Sequence, residues 1–376
     1  MRMQKGFWDQ LDGPIVGLSP MDGVTDASMR FVAKKYGQAD IIYTEFVSAD
    51  GLWRLKKKGE MDNKIWKDLI YDESQRPVIA QLFGSDPDSF YEATRIVCDM
   101  GFDGVDINMG CPSPGLEKRG GGAGLMRDRG RAAAVIEATR LGAEDFFGSV
   151  RAAPKPYSDL PLKRVPASVR LLAGAPAPNA KKSIPVSVKT RIGSAEPDES
   201  WWKFLAGMKL PAVAMHGRTF KQLYKGEADW EVLLKAGEII RESGAKFLPN
   251  GDVKGIRSQI GLVVELKIGK EVDLTGKADG VLIGREAIGN PWVLRKDGYT
   301  PTIEEKLMVA VEQSRKYEEF FNGRYDSSNF QFFPMRKHLA CYARGFEGSS
   351  SLRKRLMTAE NSEQVETMVE EFLRAG

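Results

Sequence analysis

The sequence predicts a (β/α)₈ barrel followed by a small, all-helical C-terminal region. The first supporting observation is length, because 376 residues suit a barrel of about 250 residues with a smaller companion. The second is a series of short apolar runs that alternate with helix-like segments. The third is that helical patterns alone dominate the chain after Pro301. A doubly wound open sheet is the second choice for the first part of the chain.

Eight short apolar runs are typical of parallel strands that are buried on both faces, since polar and apolar residues do not alternate in them. They cover residues 15–18, 41–43, 78–82, 104–107, 186–189, 212–215, 246–249 and 280–283. The clearest helix start between them is Asp86-Pro87-Asp88, a capping aspartate followed by proline in the first turn. Eight strands in this alternation predict closure into a barrel.

The chain divides into two predicted domains, a catalytic barrel over 1–297 and a helical domain over 298–376. Residues 143–183 are rich in Ala, Pro and basic residues and form an insertion before the fifth strand. A loop this long is unusual in a compact domain. We interpret it as a mobile or locally helical insertion at the bottom of the barrel, with partner binding as the alternative. The helical patterns of the tail cover 303–321, 334–344 and 359–373.

Composition argues against a membrane span, a disulfide framework and a metal centre. No run of 18 apolar residues occurs, and residues 1–10 lack the apolar core of a signal peptide. The three cysteines, Cys98, Cys111 and Cys341, form no Cys-x-x-Cys pair, and the sequence has two histidines. We therefore expect a cytoplasmic monomer without a metal. The net charge of +4 permits an anionic partner without requiring one.

The residues that follow each predicted strand are the candidate site residues, because active sites of such barrels lie at the carboxyl ends of the strands. After strand one, Pro20 fixes a turn and Met21 offers a polarizable face to a flat ring. Thr25 or Asp26 in the same segment could equally be a plain helix cap. After strand three, the Gln81 amide can donate and accept toward the edge of a ring, or be satisfied by backbone.

The segment after strand four is the most informative, because Asn108 and Cys111 lie there in a loop fixed by Gly and Pro. A cysteine is ordinarily an inert buried hydrophobe, but a loop position at the rim argues for reactivity. Cys98 lies within a helical pattern, and we expect it, like Cys341, to be inert. The glycine run at 120–124 lacks the spacing of a dinucleotide fingerprint, so we interpret it as a flexible loop over the site.

Basic residues follow strands five and six. Lys189 stands on an otherwise apolar strand, and a buried lysine is costly unless it meets an anion or an acceptor. Arg191 follows it two residues later. A lone histidine is more often structural than catalytic, but His216 stands at a strand end and precedes Gly217-Arg218. This setting favours a site.

Strands seven and eight end in Asn250-Gly251-Asp252 and Gly284-Arg285, and we expect a helix to begin after each. Loops after these two strands form the usual phosphate site of such barrels. Glycine permits close backbone approach, helix N-termini carry free N–H groups, and an arginine adds charge-assisted hydrogen bonds. The pair in this order predicts binding of a phosphate-bearing cofactor.

Taken together, these motifs resemble those of the tRNA-dihydrouridine synthases in order and spacing. The matching segments are PMDGVTD at 20–26, NMGCP at 108–112, KTR at 189–191, HGRT at 216–219, NGD at 250–252 and GR at 284–285, with MRKHL at 335–339 in the tail. The resemblance implies an FMN-binding barrel, reduction of the flavin by NADPH (or NADH), and a helical domain that binds tRNA. It also implies that a uridine of tRNA accepts hydride at C6 and a proton from Cys111 at C5.

The resemblance also implies a role for each matched position. The residues around the flavin ring would be Pro20, Met21, Gln81, Lys189 and His216. Those around its phosphate end would be Asn250, Gly251, Asp252, Gly284 and Arg285. Those facing the substrate base would be Asn108, Cys111, Arg191 and Arg218, and Arg336 and Lys337 would contact tRNA.

The tail carries a basic cluster over 336–355, in which six cations stand against the single acid Glu347. A solvated helix face is the plain interpretation, and phosphate binding is the alternative that the concentration of charge favours. Two other functions remain open. One is an FMN barrel acting on a free pyrimidine, similar to a dihydroorotate dehydrogenase, and the other is a tRNA-binding protein without catalysis. The sequence does not indicate which uridine would be modified.

Overall fold

The barrel predicted from the apolar runs is present in the computed structural model, which describes residues 6–59, 64–147, 183–257, 261–322 and 330–375. Eight parallel strands close in the order β1-β11-β7-β6-β5-β4-β3-β2. They are β1 (Ile15–Leu18), β2 (Ile41–Ser48), β3 (Val78–Phe83), β4 (Gly104–Met109), β5 (Val186–Arg191), β6 (Ala212–His216), β7 (Lys246–Asn250) and β11 (Gly280–Ile283). Each of the eight predicted runs lies in one of these strands.

Helices cover the outside of the barrel. They are α1 (Ala27–Lys35), α2 (Ala49–Lys58), α3 (Lys64–Asp68), α4 (Pro87–Asp99), α5 (Pro114–Glu117), α6 (Arg129–Phe147), α7 (Glu199–Gly207) and α8 (Trp230–Glu242). Aspartates cap the N-termini of four of them, at Asp26, Asp86, Asp198 and Asp229. Of the predicted insertion at 143–183, residues 143–147 complete α6, and 148–182 lie outside the described residues.

The predicted helix after Asp252 is wrong. The chain instead forms an antiparallel three-stranded sheet of β8 (Val253–Arg257), β9 (Val263–Leu266) and β10 (Glu271–Asp273). Buried Val, Ile and Leu residues are interspersed here with exposed Lys, Arg and Glu, which suits strands with one solvated face. After β11 a short 3₁₀ helix, Arg285–Ala287, takes the place of a longer helix.

Side chains fill the bottom of the barrel, at the amino ends of the strands. Trp8, from the 3₁₀ helix Gly6–Gln10, packs inside the barrel against Ile15, Tyr43 and Leu282. At Gly280 a Cβ atom would lie 2.0 Å from the Ile15 carbonyl oxygen, so β1 and β11 approach as closely as they do only because this residue is glycine. The described helices include none long and apolar enough to cross a membrane.

Among the described residues, four α-helices follow the barrel, as the sequence predicted in outline. They are α9 (Ile303–Phe321), α10 (Phe333–Tyr342), α11 (Ser349–Leu356) and α12 (Ser362–Ala375). The sequence did not predict α11. This helix begins with three serines and has two buried leucines, so its apolar pattern is weak. Phe320 of α9 packs with Ala27 and Ile70 of the barrel, so the helical region rests on the α1 side of the rim.

Candidate active site

A cavity of about 910 Å³ opens at the carboxyl ends of the barrel strands. Its lining includes every predicted site residue except Arg218, Arg336 and Lys337. The predicted residues that line it are Pro20, Met21, Gln81, Asn108, Cys111, Lys189, Arg191, His216, Asn250, Gly251, Asp252, Gly284 and Arg285. Parallel register explains the convergence, since Lys189 pairs with Asn108 and His216 pairs with Asn250 across neighbouring strands.

Cys111 is partly buried in a loop that backbone hydrogen bonds fix. The amides of Gly110 and Cys111 donate to Asn108 Oδ1 at 3.0 and 2.8 Å, and the Cys111 carbonyl accepts from Ala123 at 3.2 Å. Burial raises the pKa of the Cys111 thiol, so near neutral pH the thiol keeps its proton. It is therefore suited to donate a proton rather than to act as a thiolate nucleophile.

The other two cysteines lie elsewhere. Cys98 is fully buried in α4, and burial raises the pKa of its thiol. Cys341 lies in α10, is partly buried and does not line the cavity. Of the three cysteines, only Cys111 can meet a ligand in this cavity.

The interpretation of residues 120–124 as a flexible loop is wrong. They lead into a 3₁₀ helix, Gly122–Arg127, whose first five residues are buried. Gly122 has a φ of +55°, and a Cβ atom there would lie 3.2 Å from Cys111 Cβ. The glycine run is therefore packed support beneath the cysteine loop.

Two nitrogen-bearing side chains line the cavity with unused hydrogen-bonding capacity. Burial, followed by the neighbouring Arg191, lowers the pKa of Lys189 to about 8, and its ammonium makes one long contact, 3.4 Å to Asn250 Oδ1. Burial also lowers the pKa of His216 well below its usual value, so the ring is neutral. Within the described residues, His216 Nδ1 is buried and has no partner. A ligand with acceptor atoms would satisfy Lys189, and a polar ligand group beside His216 would satisfy its ring, whose Nδ1 donates or accepts according to the tautomer.

Gln81 and Asn108 lie side by side on the cavity floor. Asn108 Nδ2 donates to Gln81 Oε1 at 3.0 Å, and Gln81 Nε2 donates to Asp106 Oδ2 at 2.7 Å. Both amides are therefore committed to protein partners. Asp106 was missed by the sequence analysis, because it appears there as one residue within a predicted strand.

Arg191 and Arg218 both donate hydrogen bonds to backbone carbonyls of the loop that follows β6. Arg191 Nε donates to the Gly110 carbonyl at 2.8 Å, and Nη1 donates to the Thr219 and Leu223 carbonyls at 3.0 and 2.9 Å. Arg218 Nη2 donates to the Gly226 carbonyl at 2.6 Å and to Asp252 Oδ2 at 2.7 Å. Arg218 is 3% exposed and does not line the cavity. The expectation that it faces a substrate base is therefore wrong. Its contacts position the loop.

Tyr224, which the sequence analysis missed, stands on this loop at the cavity rim. It is 60% exposed, and its ring lies 5.7 and 5.5 Å from the guanidinium carbons of Arg191 and Arg285. Two cation–π contacts hold the ring in place. The available signal was an aromatic residue in a polar loop directly after a barrel strand.

The phosphate end predicted from strands seven and eight combines glycine backbone with arginine. Gly251 has a φ of +136°, and its Cβ would lie 2.6 Å from Ala228 Cβ, so only glycine fits. Burial alone would raise the pKa of Asp252, but hydrogen bonds from Arg218 and the Ala228 amide lower it. The resulting carboxylate also lies 3.4 Å from Arg285. Asp252 thus holds two arginines, while Gly251, Gly284 and Arg285 offer N–H donors to an anion.

The two tail residues predicted to contact tRNA differ in placement. Arg336 donates to the backbone carbonyls of Ala359 and Thr358 at 2.9 and 3.3 Å, which ties α10 to the segment between α11 and α12. Lys337 Nζ lies 4.0 Å from where a Cβ of Gly23 would be, and Gly23 is part of the rim loop after β1. Lys337 therefore brings a cation to the cavity entrance. Among the described residues no cluster suited to a metal ion occurs.

Comparison with known proteins points to one family. The family model for dihydrouridine synthase matches residues 17–144 and 174–375. A probable tRNA-dihydrouridine synthase of Staphylococcus aureus is 28% identical and covers 98% of this chain and 96% of its own length. Probable tRNA-dihydrouridine synthase 2 of Bacillus subtilis is 26% identical and covers 99% and 98%. Among solved structures, morphinone reductase is 14% identical and covers 76% of this chain and 86% of its own. Its TM-score of 0.42 is too low to carry an argument. The chain belongs to the dihydrouridine synthase family.

Proposed function

We propose that this protein reduces the C5=C6 bond of a uridine in tRNA to 5,6-dihydrouridine. FMN would occupy the barrel mouth, and NADPH or NADH would supply the electron pair. The observation that supports this most directly is that Cys111 lines the same cavity as Lys189 and His216. Burial raises the pKa of the Cys111 thiol, so the thiol is protonated near neutral pH. The proton donor Cys111 and two polar side chains that could contact a flavin ring, Lys189 and His216, thus face one cavity.

The residues at this site fit a flavin mononucleotide. A cavity of about 910 Å³ lies within the usual range for cofactor sites. His216 Nδ1 has no partner within the described structure, and Lys189 has one long contact. At Gly284 a Cβ atom would lie 3.4 Å from Met21 Sδ, so a side chain here would narrow the space beside Met21. Met21, Lys189 and His216 would hold the ring, and Gly251, Gly284 and Arg285 would hold the phosphate.

Reduction of the uracil double bond adds a hydride to C6 and a proton to C5. A bound reduced flavin supplies the hydride. The Cys111 thiol donates the proton to C5, and the resulting thiolate is then reprotonated from solvent. Lys189 places a positive charge beside the cofactor, where it stabilises an added electron pair. Its pKa of about 8 in the structure rises when an anionic group comes next to it, because opposite charge favours the ammonium.

A tRNA substrate requires that the target base leave its stack and enter the cavity. The Tyr224 ring at the rim and the Lys337 ammonium beside Gly23 lie where neighbouring bases and phosphates would approach. The helical domain over 298–376 would supply further phosphate contacts through the exposed Arg344, Lys354 and Arg355. The free-pyrimidine alternative needs none of these surface groups. With tRNA as substrate, we propose a cytoplasmic location, and we retain a monomer as the working assembly.

The direct test is to incubate the pure protein with tRNA that lacks modifications, together with NADPH, and to map dihydrouridine by position. Cys111→Ala should retain FMN and tRNA binding but lose roughly two orders of magnitude or more in turnover, since proton transfer is removed. Cys341→Ala, which changes a thiol outside the cavity, is the matched control and should remain active. Full activity in Cys111→Ala would exclude the proposed acid. Turnover of free uridine or orotate, with none on tRNA, would support the alternative function.

A further inference from the structure

A carboxylate inside the barrel has no role in the mechanism above. Barrel interiors are filled mainly by branched apolar side chains, yet Asp106 of β4 is fully buried there, with 0% exposure. It stands two residues before Asn108, so both side chains point into the barrel, one layer apart. An interior carboxylate is costly to bury. Its hydrogen-bond partners indicate what it does there.

Asp106 begins a continuous hydrogen-bonded chain that ends at the cysteine loop. Its Oδ2 accepts from Gln81 Nε2 at 2.7 Å, and Gln81 Oε1 accepts from Asn108 Nδ2 at 3.0 Å. Asn108 Oδ1 then accepts from the amides of Gly110 and Cys111 at 3.0 and 2.8 Å. The other Asp106 oxygen accepts from Ser187 Oγ at 2.6 Å.

This chain has only one consistent direction. An amide oxygen only accepts and an amide nitrogen only donates, while an ionised carboxylate only accepts. Asp106 therefore forces Gln81 to turn its nitrogen inward and its oxygen toward Asn108. Asn108 must then turn its nitrogen toward Gln81, which leaves its oxygen for the two backbone amides. If Gln81 reversed, Asn108 would follow, and its nitrogen would face two N–H donors.

We propose that Asp106 is a positioning residue for the reaction, which sets the orientation of the Gln81 and Asn108 amides in series and thereby places the Cys111 thiol. This inference rests on the proposed function, because it assigns Cys111 as the group that must be placed. The Asn108 amide accordingly orders the cysteine loop, and Gln81 transmits the orientation between strands β3 and β4.

The surroundings of Asp106 support an ionised carboxylate near neutral pH. Burial raises its pKa to about 6, against the lowering effect of hydrogen bonds from Ser187 and Gln81 and of the Lys189 charge on β5. Tyr43 on β2 also faces it, and burial keeps that phenol neutral by raising its pKa. Below a pH of about 6, the protonated carboxyl can donate to Gln81, and the constraint on both amides is lost.

The test compares Asp106→Asn, which keeps the shape and removes the acceptor-only character, with Ser187→Ala, which removes the branch that does not lead to Cys111. Asp106→Asn should lower kcat on tRNA by roughly tenfold or more, since small misplacements of a reacting group cost rate, with KM for tRNA little changed. Because Ser187→Ala removes a hydrogen bond that lowers the pKa of Asp106, its kcat should fall off at a higher pH than in wild type. Above that range its kcat should stay within about twofold of wild type. Circular dichroism and flavin retention verify folding of both variants.

A second measurement does not depend on activity. Iodoacetamide alkylation of the flavin-loaded protein, resolved by residue with mass spectrometry, should be several-fold faster at Cys111 in Asp106→Asn and unchanged at Cys341. Wild-type kcat should fall as the pH drops below about 6, where Asp106 becomes protonated, and Asp106→Asn should not show this fall. In an Asn108→Ala background, Asp106→Asn should have no further effect on the Cys111 alkylation rate. The proposal would be overturned if Asp106→Asn had the same Cys111 alkylation rate and the same kcat as wild type. It would also be overturned if the effects of Asp106→Asn and Asn108→Ala on the alkylation rate were fully additive. An inactive wild type that still shows the alkylation pattern would refute the proposed function and leave the positioning chain standing.

Discussion

Lys189 offers the sharpest test of the site, because its charge costs stability in the cofactor-free protein. Burial and Arg191 lower its pKa from 10.5 to about 8. In the unfolded chain Lys189 keeps its proton up to its ordinary pKa of 10.5. Below a pH of about 8 Lys189 is therefore charged in both the folded and the unfolded state, and the folded state carries the full free-energy cost of burying that charge. That cost is roughly 3 kcal/mol from the shift and somewhat less in practice, because the side chain is only partly shielded from water.

Replacing Lys189 with Met keeps most of the volume and removes the charge. At about pH 7 the flavin-free variant should be more stable than wild type by on the order of 2–3 kcal/mol. Between about 8 and 10.5 the folded wild type loses its proton before the unfolded chain does, so wild-type stability rises with pH. By about pH 9.5 the advantage of the variant should therefore shrink by roughly 2 kcal/mol.

The assay is urea unfolding of flavin-free wild type and variant at both pH values, followed by circular dichroism. Lys277→Met, at an exposed position, is the control and should show no comparable gain. FMN affinity should change in the opposite direction and fall in Lys189→Met, because the bound ring loses a cationic donor. A variant that is less stable than wild type at about pH 7, or whose advantage does not change with pH, would refute this account of Lys189.

Three further predictions concern the supports around the site. Gly122→Ala and Gly120→Ala introduce the same left-handed strain of about 1 kcal/mol, but only the first places a Cβ atom against Cys111. Turnover should therefore fall in Gly122→Ala alone, and equal loss in both would contradict this. Arg218→Met leaves the Asp252 carboxylate partly buried without its closest cation and should lower the free energy of unfolding by about 3 kcal/mol. Adding Asp252→Asn should restore part of that loss, whereas purely additive losses would argue against the pair. Lys337→Ala should reduce the salt dependence of tRNA binding by about one unit of slope. Lys203→Ala on α7 should leave the slope unchanged, and a fluorescence titration at several salt concentrations distinguishes the two.

The sequence predicted the strands well because a barrel strand covered on both faces must be apolar along its whole length. It failed after Asp252, where short stretches of Val, Ile and Leu mixed with charged residues form a small sheet in place of a helix. It also missed α11, since eight residues with two buried leucines give a weak pattern. In both places the pattern is short, and the surrounding structure decides the outcome.

For the site, the sequence predicted which residues reach the cavity but not what each one contacts. Arg218 and Arg191 look equivalent in their motifs, yet Arg191 lines the cavity and Arg218 is buried against Asp252. Arg336 and Lys337 are neighbours in the chain, but only Lys337 approaches the rim loop. These differences depend on side-chain direction and on residues far away in sequence.

The sequence by itself determined the barrel and the set of strand-end residues, because closing eight parallel strands brings all their carboxyl ends to one rim. Only the tertiary structure decided the chain from Asp106 through Gln81 and Asn108 to Cys111, the pairing of Arg218 with Asp252, and the place of Lys337 beside Gly23. Each of these depends on the register between strands or on how helices pack against the barrel. A linear pattern of residue types carries no direct information about either.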